Sequence, residues 1–470
     1  MTAAAKMHGL RDVASLWQAP LSDAVAEATA VVLLCPVLLA VALWNEFPII
    51  FYDTGGYVLQ GLGGAFVEER SPVYSLLLWF AGAAQSLWLV ALMQAALTAF
   101  VIVQTTRAIA PKLSIVALLA IVGALVTLTA LPWYVGQIEP DCFAALSILC
   151  LYLLVFHVPT LGLRRSIAIW LVAALAIAVH PSHLVLAAGL VLAIIVYKAF
   201  AAWRGPSWPN ARIRYAAAAL LLGVLTIVAS NFGYTQKIFL SRAGPVFVFA
   251  RILQDGIVMR LLDDTCPQAH YKLCAYKDDL PRTADQWLWG AESPFQKLGR
   301  FEGTTKESQR ILWASLKRYP LEQLAAATHD SIRQFTMFRT GDQIEPQQWV
   351  LFSDLDRLMP NQMRAYLTAR QQRTGIGFAP INRVQVPFGW LSIGFLTLAL
   401  LSALWLGARS QAVLLGFVLV ALIGNAIVCG ALSNPHDRYQ SRLIWLAPFA
   451  LALLAGGRPL ALRQREESGT

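Results

Sequence analysis

Residues 411–432 read QAVLLGFVLVALIGNAIVCGAL and contain no charged side chain. A helix needs about 20 mostly apolar residues to cross the hydrocarbon core of a bilayer, and this run supplies them. The loop that follows, residues 433–442, is SNPHDRYQSR, dense in polar groups. The same alternation runs through the chain. Apolar stretches fall near 26–45, 85–105, 113–133, 142–158, 166–180, 183–201, 212–232, 387–406, 411–432 and 442–457. With 57% hydrophobic and 14% charged residues, and a mean hydropathy of +0.57, the chain has more apolar surface than a soluble domain can hide. The expected fold is an all-α polytopic membrane protein with about ten transmembrane helices. A further apolar run, 73–83, is too short to span and reads as a re-entrant or interfacial helix.

Alternating through these spans sorts the loops into two sets. One carries Lys6, Arg11, Arg107, Lys112, Arg164, Arg165, Lys198, Arg204, Arg409 and Arg458 among others; the short loops of the other carry only Arg70, Arg438 and Arg442. Positive charge collects on cytoplasmic loops, so both termini are expected in the cytoplasm. The organisation read this way is a cytoplasmic segment 1–25, spans 1–7 in 26–232 with a first outer loop at 46–84, an exported segment 233–386, spans 8–10 in 387–457, and a cytoplasmic tail 458–470. The first 25 residues lack an apolar core followed by a small-residue cleavage site, so the first span is expected to be an uncleaved anchor. The net charge of +10 comes partly from these anchors. No basic–aromatic run of the kind used on nucleic acid is present, so nucleic-acid binding is not expected.

The exported segment reads as mainly helical, with apolar residues at helical spacing in 247–262, 304–317 and 321–338. Pro320 stands where a helix would start. A turn-rich stretch, 263–294, carries Trp287 and Trp289 with Cys266 and Cys274. Seven intervening residues close easily into a loop, and an exported compartment permits a disulfide between the two cysteines. Cys35, Cys142, Cys150 and Cys429 lie in or at spans and read as packing residues. The segment is either a cap on the membrane part or a wall of a substrate groove.

The residues that carry chemistry all fall on the outer side. The first outer loop holds Asp53 among aromatics and glycines, in Phe51-Tyr52-Asp53-Thr54-Gly55-Gly56-Tyr57, followed by Glu68-Glu69-Arg70-Ser71-Pro72-Val73-Tyr74. Paired glycines let a backbone turn tightly or approach a ligand. A carboxylate beside apolar surface suits proton transfer; equally, an acid before an apolar run caps a helix. The second outer loop ends Gln137-Ile138-Glu139-Pro140-Asp141, and here too a cap competes with a binding role. The third is His180-Pro181-Ser182-His183. Two histidines alone do not make a metal site; a divalent metal would need Asp53, Glu139 or Asp141 as well. Hydrogen bonding to a phosphate or headgroup is the alternative, as is plain interfacial placement. In the last outer loop, His436, Arg438 and Arg442 fall within two turns. If a helix starts near Asp437, the two arginines share a face and suit a phosphate through forked hydrogen bonds or a lipid headgroup.

Asp53-x-x-x-Tyr57 followed by Arg70-x-Pro72-x-Tyr74 resembles the first outer loop of GT-C glycosyltransferases, in particular the protein mannosyltransferase and lipid A aminoarabinose transferase branch. That branch has Glu where this chain has Thr54, and a double proline where it has Ser71-Pro72. Many relatives carry their soluble part at the C-terminus; here it lies between spans 7 and 8. The resemblance implies transfer of a sugar from a polyprenyl-phosphate carrier to a lipid or glycan acceptor at the outer face. Asp53 would be the catalytic base, and Tyr57, Arg70, Glu139, Asp141, His180, His183, His436, Arg438 and Arg442 would be substrate contacts. It also implies a cell envelope, expected to be a bacterial inner membrane. Two rivals remain: an O-antigen ligase or polymerase acting on a lipid-diphosphate-linked glycan, favoured by the late arginine pair, and a lipid flippase or secondary transporter, which would want internal repeats and intramembrane acids.

Overall fold

The computed structural model describes residues 24–205, 207–266, 268–346 and 352–456. The segment 1–25, apart from Ala24 and Val25, and the tail 458–470 lie outside the described residues, and so do Lys6, Arg11 and Arg458. Among the described residues the fold is all helical, with no strand and a single isolated bridge between Ile49 and Gln137. Five helices are long and apolar enough to cross a membrane: Leu87–Ile109, Pro181–Arg204, Ile213–Thr235, Ala379–Trp405 and Arg409–Leu432.

The other apolar stretches are also helices, shorter or broken. The first is Ala24–Leu38, which contains Pro36, continued by Ala40–Asn45. Its opening turn holds Glu27, an acid that composition alone did not mark out among the span residues. Glu27 pairs with Arg107 at 2.8 Å and Arg165 at 3.1 Å and so ties three helices together. The third stretch ends at Leu128 and resumes as the short helix Leu131–Val135. The last divides into Asp437–Ile444 and Leu446–Gly456.

Cys142–Phe156 is the pivot of the bundle. Every residue from Cys142 to Val155 is buried, as expected for a helix that is apolar all round and packed on all sides. Its first turn therefore lies deep in the protein, and so does Asp141 just before it.

Residues 233–386 divide into two parts rather than one domain. Val246, Phe249, Leu253, Trp287, Phe295, Phe301 and Ile311 build a separate small core, beside which Cys266 and Cys274 are disulfide-bonded. The helix expected over 247–262 is broken into Gly244–Gln254 and Ile257–Thr265. Gly256, at φ +79°, takes the left-handed conformation that ends the first. Beyond Pro320, which opens the helix Pro320–Thr336, the chain returns to the bundle. That helix lies against Arg409–Leu432 so closely that a Cβ on Gly430 would meet the Asp330 carbonyl oxygen at 2.6 Å. Leu355, Met359, Met363 and Tyr366 then join the main core. Gln371 closes this return by bonding both the amide and the carbonyl of Ile50, at 3.0 and 2.6 Å.

Candidate functional site

A cavity of about 830 Å³ lies where the first, third and last polar loops meet the 233–248 and 285–289 segments. Three devices hold the first loop against the second. Ile49 exchanges hydrogen bonds with the second loop, its amide donating to the Gly136 carbonyl and its carbonyl accepting from Ile138, both at 2.9 Å. Thr54 accepts from the Phe51 amide and donates to the Ile138 carbonyl, each at 3.0 Å. Gln94, buried in the helix Leu87–Ile109, donates to the Val135 and Gln137 carbonyls and accepts from the Tyr74 hydroxyl. Buried polar groups are paired in this way because an orphan costs about 1–3 kcal/mol. The outcome is rigid placement of Asp53.

Asp53 sits in the first turn of Tyr52–Gly63, where the helix dipole favours an acid. It does not cap that helix; Thr54 bonds the N-cap amide instead. Gly55 and Gly56 lie inside the helix and make no turn, which corrects that half of the expectation, while Gly56 lines the cavity. Asp53 Oδ1 pairs with Arg70, and Oδ2 lies 3.6 Å from Arg438 Nη2. All three line the cavity. Ser71, bonded to the Ala178 carbonyl at 2.8 Å, fixes the loop that carries Arg70. The Arg438 guanidinium stacks over Phe51 and Tyr439, at 4.5 and 5.0 Å from the ring centres. Among the described residues no protein acceptor hydrogen-bonds it.

Arg442 goes elsewhere, and this corrects the paired-arginine expectation. It lies one turn further into the bundle, 1% exposed, and donates to Asp141 at 2.5 Å. Asn425, Ser182 and the Cys429 sulfur accept its other hydrogen bonds, at 3.2, 3.4 and 3.8 Å. Neither Arg442 nor Asp141 is on the cavity wall. Asp141 holds the N-cap position of Cys142–Phe156 without capping it, because its side chain is committed to Arg442. Burial alone would raise its pKa; Arg442 and Arg438 hold it below the usual carboxylate range.

Glu139 is 2% exposed and off the wall, and its Oε1 has no hydrogen-bond partner among the described residues. Burial, followed by the charge of Asp53, pushes its carboxyl well above the ordinary range. Tyr57 is likewise buried; its ring lies 5.7 Å beneath Arg70 and edge-on to Tyr74. The two histidines do not share the cavity as expected. His180 lines it. His183 is fully buried and its Nδ1 bonds the Ala176 carbonyl at 2.9 Å. Among the described residues no group of three or more histidine, cysteine or acidic side chains is placed to hold a metal ion.

His436 stands between two acids, with the Asn434 side-chain nitrogen 2.8 Å from its Nε2. Asp285 lies 3.6 Å from its Nε2 and Asp342 lies 3.5 Å from its Nδ1. Burial works against the charged ring, but the two carboxylates more than offset it, and the pKa is raised to about 10. Gln334 bonds both the amide and the carbonyl of His436, at 2.9 and 2.8 Å. His436 and Asp285 therefore tie the helix Ala284–Trp289 to the last loop across the cavity. Neither acid stands out in the sequence. Asp342 had one signal, its place in a turn between Gly341 and Gln343, both at positive φ.

The rest of the wall is apolar. Leu184, Val185, Ile227, Val428 and Leu432 come from three long helices, Phe247 and Leu288 come from the small core, and Trp289 ends the short helix beside it. Val185 and Leu432 stay 40% and 42% exposed, so the cavity runs out to the apolar surface of the bundle. No protein-family model, curated protein or solved structure matches this chain.

Proposed function

We propose that the protein is a membrane glycosyltransferase that moves a sugar from a polyprenyl-phosphate carrier to a lipid or glycan acceptor at the outer face of a bacterial inner membrane. The reading takes all ten apolar segments as spans, both termini as cytoplasmic and residues 233–386 as exported. One observation carries it. An acid from the first polar loop and an arginine from the last stand side by side in a cavity whose wall continues as an apolar lane. An amphiphile with a phosphate between its tail and its sugar matches that sequence of surfaces.

In the proposed step the acceptor oxygen attacks the anomeric carbon, and the bond from that carbon to the phosphate oxygen breaks. The phosphate leaves with the bonding electrons. Asp53 takes the acceptor proton on Oδ2, the oxygen that Arg70 leaves free. Arg438 meets the charge growing on the phosphate; in many enzymes preorganised donors of this kind lower the barrier more than any other device. The tail lies along Leu184, Val185, Ile227, Val428 and Leu432. Arg70, braced by Tyr57, holds Asp53 in place.

The ligase reading drew on two arginines meeting a diphosphate, and the burial of Arg442 takes away that support. A flippase needs a polar path through the bundle. The cavity wall draws only on one end of each helix: the start of Pro181–Arg204 and the ends of Ile213–Thr235 and Arg409–Leu432.

The test is transfer of labelled monosaccharides from polyprenyl-phosphate donors by the purified protein in lipid nanodiscs. Asp53→Asn should lose transfer by a factor of at least about 10² while still binding the donor. Full activity of that variant sinks the assignment.

A further inference from the structure

We propose that His180 presents a neutral Nε2–H donor to the phosphate of a lipid bound in the cavity, held in that tautomer by a relay from Asp141 through Arg442 and Ser182. The proposal rests on the reading that a phosphate-bearing lipid occupies this site, and adds to it the group that reads the phosphate beside Arg438.

The direction of the hydrogen bonds fixes the proton. The Ser182 amide donates to His180 Nδ1 at 3.2 Å. A backbone N–H can only donate, so Nδ1 must offer a lone pair. A doubly protonated ring has none there, so the ring is neutral and its proton is on Nε2. The Ser182 hydroxyl gives the same answer. Arg442 has donors only, so Ser182 Oγ accepts from it at 3.4 Å. The hydroxyl proton is then free to go to His180 Nδ1, 2.8 Å away. Asp141 anchors the far end of the chain. This gives a use to the buried pair that the cavity chemistry leaves over.

His180 lines the cavity, and among the described residues no protein acceptor bonds its Nε2. An uncharged donor and the free guanidinium of Arg438 in one cavity suit an anionic oxygen. Phosphate on an apolar tail is the anion the apolar lane selects. That phosphate belongs either to a polyprenyl carrier or to a phospholipid headgroup.

Two substitutions separate the ring's nitrogens. Asn at 180 places its oxygen near the position of Nδ1, keeping the acceptor for the Ser182 amide and losing the donor. Gln places an amide N–H near Nε2 and gives up the cap. The full-length protein in nanodiscs of neutral lipid is titrated with polyprenyl phosphate and, separately, with phosphatidylglycerol. Thermal melting is followed alongside. His180→Asn should weaken binding at least about tenfold, the worth of one hydrogen bond to a charged group, with unchanged melting. His180→Gln should bind within about threefold of wild type and melt lower. Wild-type binding by His180→Asn overturns the proposal and leaves His180 as a cap. Wild type that binds phosphatidylglycerol but not polyprenyl phosphate upholds the phosphate role and removes the carrier reading. Wild type that binds neither overturns both.

Discussion

Asp53 Oδ2 and Arg438 Nη2 lie 3.6 Å apart, although one belongs to the first polar loop and the other to the last. At that distance the two attract without a hydrogen bond, so each keeps capacity for a ligand. Replacing Arg438 tests this. Arg438→Ala should lower transfer by about 10²-fold, as removal of one preorganised donor does. Arg438→Lys keeps the charge but not the planar fork or the stacking on Phe51 and Tyr439, and should recover only part of the loss. Rates from a fixed polyprenyl-phosphate donor decide it; a fully active Lys variant would show that charge alone suffices.

The buried pair behind the cavity makes a separate prediction about stability. The Arg442 and Asp141 side chains are 0% and 4% exposed. Removing one partner leaves a desolvated charge, which costs about 3–5 kcal/mol. Arg442→Met or Asp141→Leu alone should therefore lower the melting temperature in detergent sharply. The double variant should recover much of the loss, because replacing both partners by apolar groups is often close to neutral. A double variant no better than the sum of the singles would mean that other contacts at these positions dominate.

What the sequence disclosed follows from how each feature is encoded. Uncharged runs such as 411–432 encode helices by composition, and the helices are there. Helix ends depend on local backbone events and were misplaced: Ala379–Trp405 starts ahead of the expected 387 and runs through Pro387. The meeting of Asp53, Arg70, His180 and Arg438 was legible because polar groups on one side of an apolar bundle have few places to go. The parting of Arg438 and Arg442 was not. They share a helix face, as their spacing requires, but Arg442 lies one turn deeper. What it meets there is Asp141, from a segment remote in the chain. Asp285 and Asp342 were equally hidden, because single acids in a polar stretch look alike until the fold sets a histidine between two of them.

The disulfide offers a third test. Cys266 and Cys274 are separated by 8 positions, and cross-linking so short a loop restricts the unfolded chain by roughly 2–3 kcal/mol. The bridge flanks the small core of Phe249, Trp287 and Phe295, and neither cysteine is part of the cavity wall. A Cys266→Ser/Cys274→Ser variant should lose proteolytic resistance in residues 244–319 while keeping most of its donor affinity. Equal loss of both would show that the small core and the cavity unfold together.

The His436 clamp gives a dependence on pH whose sign is fixed. Its pKa rises from 6.5 to about 10 on folding, so the charged ring stabilises the fold fully below pH 6.5. That contribution declines through the interval between the two values and is lost as pH passes about 10. Asp285 and Asp342 are held below the ordinary carboxylate range, Asp285 first by its bond to His436, Asp342 against its own burial by the same ring. Their share is present above the unfolded value of 3.8 and is lost as pH falls through the lowered folded ones. Docking of the helix Ala284–Trp289 on the last loop should therefore be tightest between about pH 4 and 6.5. It should loosen steadily from there to pH 10. Hydrogen exchange of the 284–289 amides reads this directly, with rates corrected for their intrinsic pH dependence. His436→Gln should abolish the dependence over the alkaline half. A wild-type profile that stays flat from pH 6.5 to 10 would mean that the Gln334 bonds to the His436 backbone, not the charged ring, hold the two parts together.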